Sequence, residues 1–345
     1  MGDLPLDRRY ARSPGPEQTM ATRLSLEEKL AAIRAMRIGP PTATDQLELK
    51  RYLGDRSNLV VAAAAALVGE RAMAELAGDL EAAFARFLVD PVKTDKLCRA
   101  KIAIVQALET LEHLKREVFE TAARHVQLEP GWGPPTDTAA PLRGHALFAL
   151  ARIGGSDYHS LLVDSLIDSE KDVRIAAAQA LGYVGTEAAG LVLRLKVRLG
   201  DAEADVLSEC LSGLLTIAPE ENLDFVREFL DPLRPDLCEA AALALGKTRL
   251  PAAFEALRSC LERSHQTALR EQILLAIAMM RLPTATDYLV DLVASESESL
   301  ALAAISALKF HRYDPRLCER LAQAVKSTGK RVLELRLERD FPADG

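Results

Sequence analysis

Little in this chain could build a strand-rich fold, a disulfide framework or a nucleic-acid clamp. Aromatic side chains make up only 5% of its 345 residues, with a single Trp, whereas 49% are apolar and these are dominated by Ala and Leu. Both are strong helix formers, so tight helix-on-helix packing is expected. The five cysteines (Cys98, Cys210, Cys238, Cys260, Cys318) are odd in number and widely spaced, with no C-x-x-C pair. That argues against zinc knuckles and disulfide scaffolds and fits reduced thiols in the cytoplasm.

A basic surplus is also missing. There are 43 Lys+Arg against 50 Asp+Glu, a formal charge of −7, whereas nucleic-acid binders carry cations to neutralise phosphates. The acidity is concentrated in residues 201–240, which hold eleven acids and only Arg227 and Arg234 as bases. The longest uncharged apolar run, Leu59 to Gly69, is too short to span a bilayer. The first residues are polar, with Arg8, Arg9 and Arg12 near Pro14 and Pro16, and offer no signal-peptide core. Leu6 stands where myristoylation needs Ser or Thr. The expectation is a soluble protein without nucleic-acid or membrane partners, with a disordered leader over residues 1–24 and with Met20 as an alternative start to Met1.

At about 100–200 residues per domain, the length fits two or three domains or one long repeat array. Internal self-similarity selects the array. Its clearest copy is Val173-Arg174-Ile175-Ala176-Ala177-Ala178-Gln179-Ala180-Leu181-Gly182. Anchored on Leu181, the equivalent positions are Met36, Leu67, Leu108, Leu150, Leu181, Leu214, Leu245, Ile277 and Leu308, spaced by 31, 41, 42, 31, 33, 31, 32 and 31 residues. The residue before each anchor is Ala in eight copies and Gly213 in the sixth. A position that must stay small marks where one helix backbone rests on another. Eight residues before the anchor the side chain is apolar in every copy but the first, which has Glu28. Between anchors lies a second amphipathic stretch, such as Tyr158 to Ile167, with apolar residues at helical spacing. Gly154-Gly155, Gly185, Pro219, Pro251, Pro283 and Pro315 punctuate the pairs, and Asp168, Asp231 and Ser295 close the intervening helix. Each unit is therefore a helix pair that must stack on its neighbours to bury its face.

This pattern, best carried by Asp168, Asp172, Val173, Arg174, Ala176, Ala177, Ala180, Leu181 and Gly182, resembles the HEAT-repeat family, and more narrowly the short bacterial HEAT-like repeats of phycobilisome-lyase proteins. The resemblance implies an all-α, right-handed α-solenoid of about nine helix pairs over residues 25–328, with no sheet. In it the anchor helices line the concave face and an Arg pairs with an Asp of the neighbouring turn, for which Asp168 and Asp172 are candidates beside Arg174. Residues 329–345 are expected to form a charged capping helix around Val332, Leu333 and Leu337, followed by a tail.

The family mostly supplies binding scaffolds, and no catalytic motif stands out. There is no G-x-G-x-x-G, Walker loop, G-x-S-x-G or H-E-x-x-H. None of the six histidines precedes a Glu, as the di-iron site of HEAT-type deoxyhypusine hydroxylases would need. One Trp and a negative charge weigh against the HEAT-like DNA glycosylases, and no motif fixes a bilin as in the bilin lyases. No cofactor or metal is expected.

Two departures from the repeat are candidates for function. Residues 128–141 form an insertion with four prolines, two glycines and Trp132. Such insertions lie on one rim and often bind. Trp132 is a candidate anchor, expected near Arg143 and His145 and flanked by His125 and Asp137. The alternative is a lid whose Trp packs down as a plug. Five residues before the anchor, His145, Glu209 and Gln272 replace the usual alanine, either as groove contacts or as tolerant edge positions. Lys93, Lys96, Arg99 and Lys101 form a basic cluster that could contact an anion or simply be solvated. The leading reading is a non-catalytic scaffold that binds a protein through its concave face and the Trp132 loop, with a basic partner at the acidic 201–240 segment. The alternative is a bilin-lyase-type enzyme or subunit with a small ligand in the groove.

Overall fold

In a computed structural model, residues 24–155, 159–295 and 297–342 are described. The leader and the choice between Met1 and Met20 fall outside them, as do the last three residues. Twenty α-helices occur among the described residues. The nine that carry the anchors are α1 (Leu26–Ala35), α3 (Asn58–Glu70), α6 (Arg99–Thr110), α8 (Ala140–Ile153), α10 (Lys171–Val184), α12 (Ala204–Ile217), α14 (Pro235–Gly246), α16 (Thr267–Met279) and α18 (Glu298–Leu308). Between them run α2 (Ala43–Leu53), α4 (Ala77–Phe87), α7 (Arg116–Ala123), α9 (His159–Ser165), α11 (Glu187–Leu199), α13 (Pro219–Arg227), α15 (Pro251–Arg263), α17 (Pro283–Ser295) and α19 (Pro315–Thr328). A one-turn helix, α5 (Pro91–Thr94), sits in the insertion before α6, and α20 (Arg331–Asp340) follows α19.

The array is a single α-solenoid. Each anchor helix packs on the next, from α1 through α18, and α20 extends that layer by packing on α18. Most intervening helices meet one another less than the anchor helices do, so the anchor layer is the inner, more tightly curved one. Pro219, Pro251, Pro283 and Pro315 each open a helix, where the missing N–H costs nothing. The terminal α20 buries Leu333, while Val332, expected on its inner face, is exposed. The insertion departs from pure helix: Leu128–Glu129 (β1) and Thr136–Asp137 (β2) pair antiparallel as a minimal hairpin.

The small residue before each anchor is explained by the approach of successive inner helices. A Cβ on Gly69 would lie 3.1 Å from the Cα of Ala107, one on Gly182 3.0 Å from the Cα of Gly213, and one on Gly246 2.7 Å from the Ala276 carbonyl oxygen. Each contact joins a glycine just after one anchor to the small residue just before the next. Ala107, Ala149, Ala180, Ala244, Ala276 and Ala307 are accordingly buried. Ala35, expected to be buried with them, is exposed, because the first copy has no preceding inner helix among the described residues to cover it. Ala66 is half-buried.

A second repeating contact ties the turns. Asp55, Asp168, Asp201 and Asp231 each accept the backbone N–H two residues on, at 2.8, 2.8, 2.9 and 3.0 Å, an Asx turn leading into the next anchor helix. Three of them also take a cation from the preceding anchor helix. Lys29 reaches Asp55 at 2.6 Å, Arg143 grips Asp168 at 3.0 and 2.9 Å, and Arg174 grips Asp201 at 2.9 Å twice. The expected ladder thus exists, but shifted by one copy: Asp168 serves Arg143, and the carboxylate partner of Arg174 is Asp201 rather than Asp168 or Asp172. The Asp168 backbone carbonyl does accept from Arg174, at 2.9 Å. Lys196 adds a second cation to Asp201 at 2.8 Å. In copy seven Cys238 occupies the cation's place, and its sulfur lies 3.4 Å from that of Cys260 in a buried seam.

Two outcomes follow. Gly246→Ala should lose about 1–3 kcal/mol in chemical denaturation through overpacking, despite a gain of about 1 kcal/mol in helix propensity. Burial opposes ionisation of Asp201, but Arg174, Lys196 and the Glu203 N–H outweigh it and hold the carboxyl at about 2. Its folded value lies below the unfolded one of about 3.9, so its contribution, about 2 kcal/mol, is full above pH ~4 and is lost as pH falls through 2. Acid titration of stability should show this loss in the wild type and a reduced one in Asp201→Asn.

Candidate interaction site at the hairpin and the inner face

The insertion is fixed at its base by a buried polar network. Asp137 accepts the N–H groups of Gln127 and Ala139 at 3.0 and 2.9 Å, and Arg143 at 2.6 Å. Arg143, only 2% exposed, also donates to the His125 carbonyl at 3.0 Å. Its guanidinium is therefore held between two carboxylates, Asp137 and Asp168. Burial works against the charges here. For Asp137 it is outweighed by the two backbone donors and Arg143, which keep the carboxyl below its usual range. For Arg143 it is outweighed by Asp168 and Asp137, which raise its pKa. Burial, assisted by the nearby Lys101 charge, lowers that of His125.

A second buried pair supports the other strand. Lys101 and Asp95 have fully buried side chains and meet at 2.9 Å, and Asp95 also accepts the Ala100 and Lys101 N–H groups at 2.8 and 3.1 Å. Gln127 donates to the Asp95 carbonyl and to Glu129, both at 2.7 Å. Glu129 in turn accepts the Leu97 N–H at 2.6 Å and the Thr138 hydroxyl at 2.8 Å. Leu97 and Cys98 are held at φ 59° and 52°, a left-handed conformation costly for side-chain-bearing residues. The hairpin thus stands on a rigid base.

At its tip, Trp132 is fully exposed at 111%, between Gly131 and Gly133, whose Cβ positions meet nothing within 4 Å. It is therefore not a plug against Leu or Phe side chains. The two residues expected near Trp132 have their polar groups engaged elsewhere. Arg143 is buried beneath the hairpin base, and His145 lies on the inner side of α8, where it meets Gln106 at 2.8 Å and Glu109 at 3.4 Å. Lys101 is removed as an anion contact, since its ammonium is buried and neutralised by Asp95. Lys93 and Arg99 remain exposed.

The structure brings His125, Asp137 and Arg143 together and leaves His145, Glu209 and Gln272 on separate inner helices, each half-buried. Glu209 pairs with Lys247 of the next inner helix at 3.2 Å. Within 201–240, Asp201, Glu209, Asp205 and Glu228 are engaged in ion pairs, while Glu203, Glu220, Glu221 and Asp236 are exposed.

Sequence reasoning missed a half-open pocket of about 280 Å³ lined by Glu109, Glu112, His113, Phe119, Arg152 and Tyr183. Glu109, Arg152 and Tyr183 fall one or two residues past their anchors, the signal that could have found them. Arg152 pairs with Glu112 at 3.1 Å and lies 3.9 Å from Glu109, so the pocket largely neutralises itself. Among the described residues, no group of three or more His, Cys, Asp or Glu is placed to hold a metal. No helix among them is long and apolar enough to cross a membrane.

Residues 237–263, which span α14 and α15, match the family model of the PBS lyase HEAT-like repeat. No curated protein matches the chain. Among solved structures, the complex of CpcE and CpcF of phycocyanin lyase from Nostoc sp. PCC7120 is similar at 19% identity and a TM-score of 0.37, covering 69% of this chain and 91% of that one. An engineered protein is similar at 16% identity and a TM-score of 0.37, covering 86% and 87%.

Arg143→Met should cost about 3–5 kcal/mol in chemical denaturation, because two buried carboxylates lose their cation. Hydrogen exchange should then quicken at the Gln127 and Ala139 amides ahead of those in α14.

Proposed function

We propose that this chain of HEAT-like repeats is a non-catalytic scaffold that takes a protein partner on its inner face and at the Trp132 hairpin. The observation that carries the reading is the hairpin itself. Its base is tied down by ten-odd hydrogen bonds and ion pairs of the kind that order a core, yet it presents the chain's one Trp wholly to solvent. A large, stiff aromatic side chain on a preorganised support is the usual form of a binding anchor. The half-buried His145, Glu209 and Gln272, on three separate inner helices, supply polar contacts along the inner face. Exposed acids in 201–240 suit a basic part of the partner, and that contribution should weaken with salt, since charges are screened beyond ~10 Å at 0.1 M. The odd number and wide spacing of the five cysteines support a reducing, cytoplasmic setting.

A lyase-type subunit would use the pocket at Glu109 and Arg152. Its charges are already paired, Arg152 with Glu112 and close to Glu109, which supports the scaffold instead.

A photo-crosslinking residue placed at position 132 should give a discrete protein adduct in extracts of the source cell, absent when the same residue is placed at Leu191 on the outer layer. Trp132→Ala should abolish partner capture and leave the melting temperature unchanged, because the indole packs against nothing. No adduct above the Leu191 control, or a melting temperature several degrees lower, would sink the reading.

A further inference from the structure

The turns that lead into the anchor helices form one edge of the solenoid, and five successive turns on that edge each present a large apolar side chain to solvent. Leu97 protrudes beside Asp95, Leu128 and Trp132 from the hairpin above Asp137, Ile167 beside Asp168, Leu199 beside Asp201, and Leu233 beside Asp231. Their exposures run from 49% to 111%. At ~8–10 Å per packed helix, the row is ~32–40 Å long. Among the described residues the opposite edge has no such run: Ile38, Leu114, Phe310 and Tyr313 are exposed there, but in copies that are not consecutive. Scattered single apolar residues need no explanation, whereas a contiguous row marks an interaction surface.

The charge along this row is polarised. Around Leu97 stand Lys93, Lys96 and Arg99, all exposed and none in an ion pair with a described residue. Asp90 is the one exposed acid in that turn. Around Leu199 and Leu233 stand Glu203, Asp205 and Asp236, also exposed, with Arg198, which is paired with Glu228, and Arg234 as the exceptions. Acids at the starts of α12 and α14 could serve those helix dipoles alone. Cations at the start of α6 run against the dipole, so helix stability does not account for the basic end.

We propose that the occupant of this edge is a second copy of the chain, docked antiparallel about a two-fold axis near Ile167. The proposal rests on the reading of Trp132 as a protein-contact residue and names its partner. An edge that is basic at one end, acidic at the other and apolar throughout is its own complement under a two-fold rotation. Lys93, Lys96 and Arg99 of one copy then face Asp236 of the other. Trp132 meets Leu199 and lies beside Glu203, and Ile167 meets itself.

The test is sedimentation of the purified full chain over a dilution series, with Trp132 emission as a second readout. The wild type should sediment at twice its 37.5 kDa mass, with emission moving to the blue as the dimer forms. Lys93→Glu with Arg99→Glu reverses two of the three cations at the basic end, and Glu203→Lys with Asp236→Lys reverses two of the three acids at the acidic end. Each double variant alone should dimerise at least about tenfold more weakly, and mixing the two should restore a heterodimer. All four sites are exposed, so circular dichroism should remain that of the wild type. Ile167→Glu, which brings two like charges together on the axis, should give a monomer. A wild type that stays monomeric throughout, or a dimer indifferent to these substitutions, overturns the second-copy inference. If a monomer nevertheless gives the crosslink from position 132 to another protein, only this inference falls and the scaffold reading stands. If neither dimer nor crosslink forms, both fall.

Discussion

The molecule depends on how closely its inner helices approach. Where Gly182 meets Gly213 and Gly246 meets Ala276, backbone rests on backbone with no room for a further methyl group. That contact sets the spacing of the inner layer and hence its curvature, and it holds the turns between helices in register along one edge. The Asp–Arg rungs can form only because that register is kept, since each joins a helix of one copy to the turn of the next. The approach is dispersion-driven and tolerates almost no change in volume, whereas the outer helices, which touch one another less, vary in length, from eight residues in α7 to fourteen in α19.

Most of the fold was legible because that constraint writes itself into sequence at a fixed interval. Ala180-Leu181-Gly182 and its copies reveal the period, the number of pairs and the inner layer. The rungs were only half legible. Asp55, Asp95, Asp137, Asp168, Asp201 and Asp231 stand twelve to fourteen residues before their anchors, a column as regular as the alanines. Its partners, however, come from a helix 25 to 27 residues earlier in three cases and from the following anchor helix, six residues later, in two. Sequence distance alone therefore points Arg174 to the wrong carboxylate.

The hairpin was the least legible element, and for a physical reason. Trp132 looks in sequence like either a plug or an anchor, because an indole gains from burial and four prolines suggest a stiff lid. What rules out the plug is a set of contacts at the base, made by Gln127 beside the hairpin and by Asp95 and Leu97 far away in sequence, which leaves the indole exposed at the tip. Lys101 misleads for the same reason. As part of a basic cluster it reads as surface, while Asp95, only six residues away, buries and neutralises it.

Both long spacings in the array, 41 and 42 residues against about 31, place their extra chain immediately upstream of Asp95 and Asp137. The downstream helix begins in the same way whether the preceding turn is short, as at Asp168 and Asp201, or long. The carboxylate thus acts as a joint that absorbs insertions, since lengthening a loop adds little closure entropy while the joint restores the helix register afterwards. One edge of this solenoid can therefore acquire new segments, copy by copy, without renegotiating the packing of the inner layer. Evolution could vary the surface presented there independently of how the chain folds.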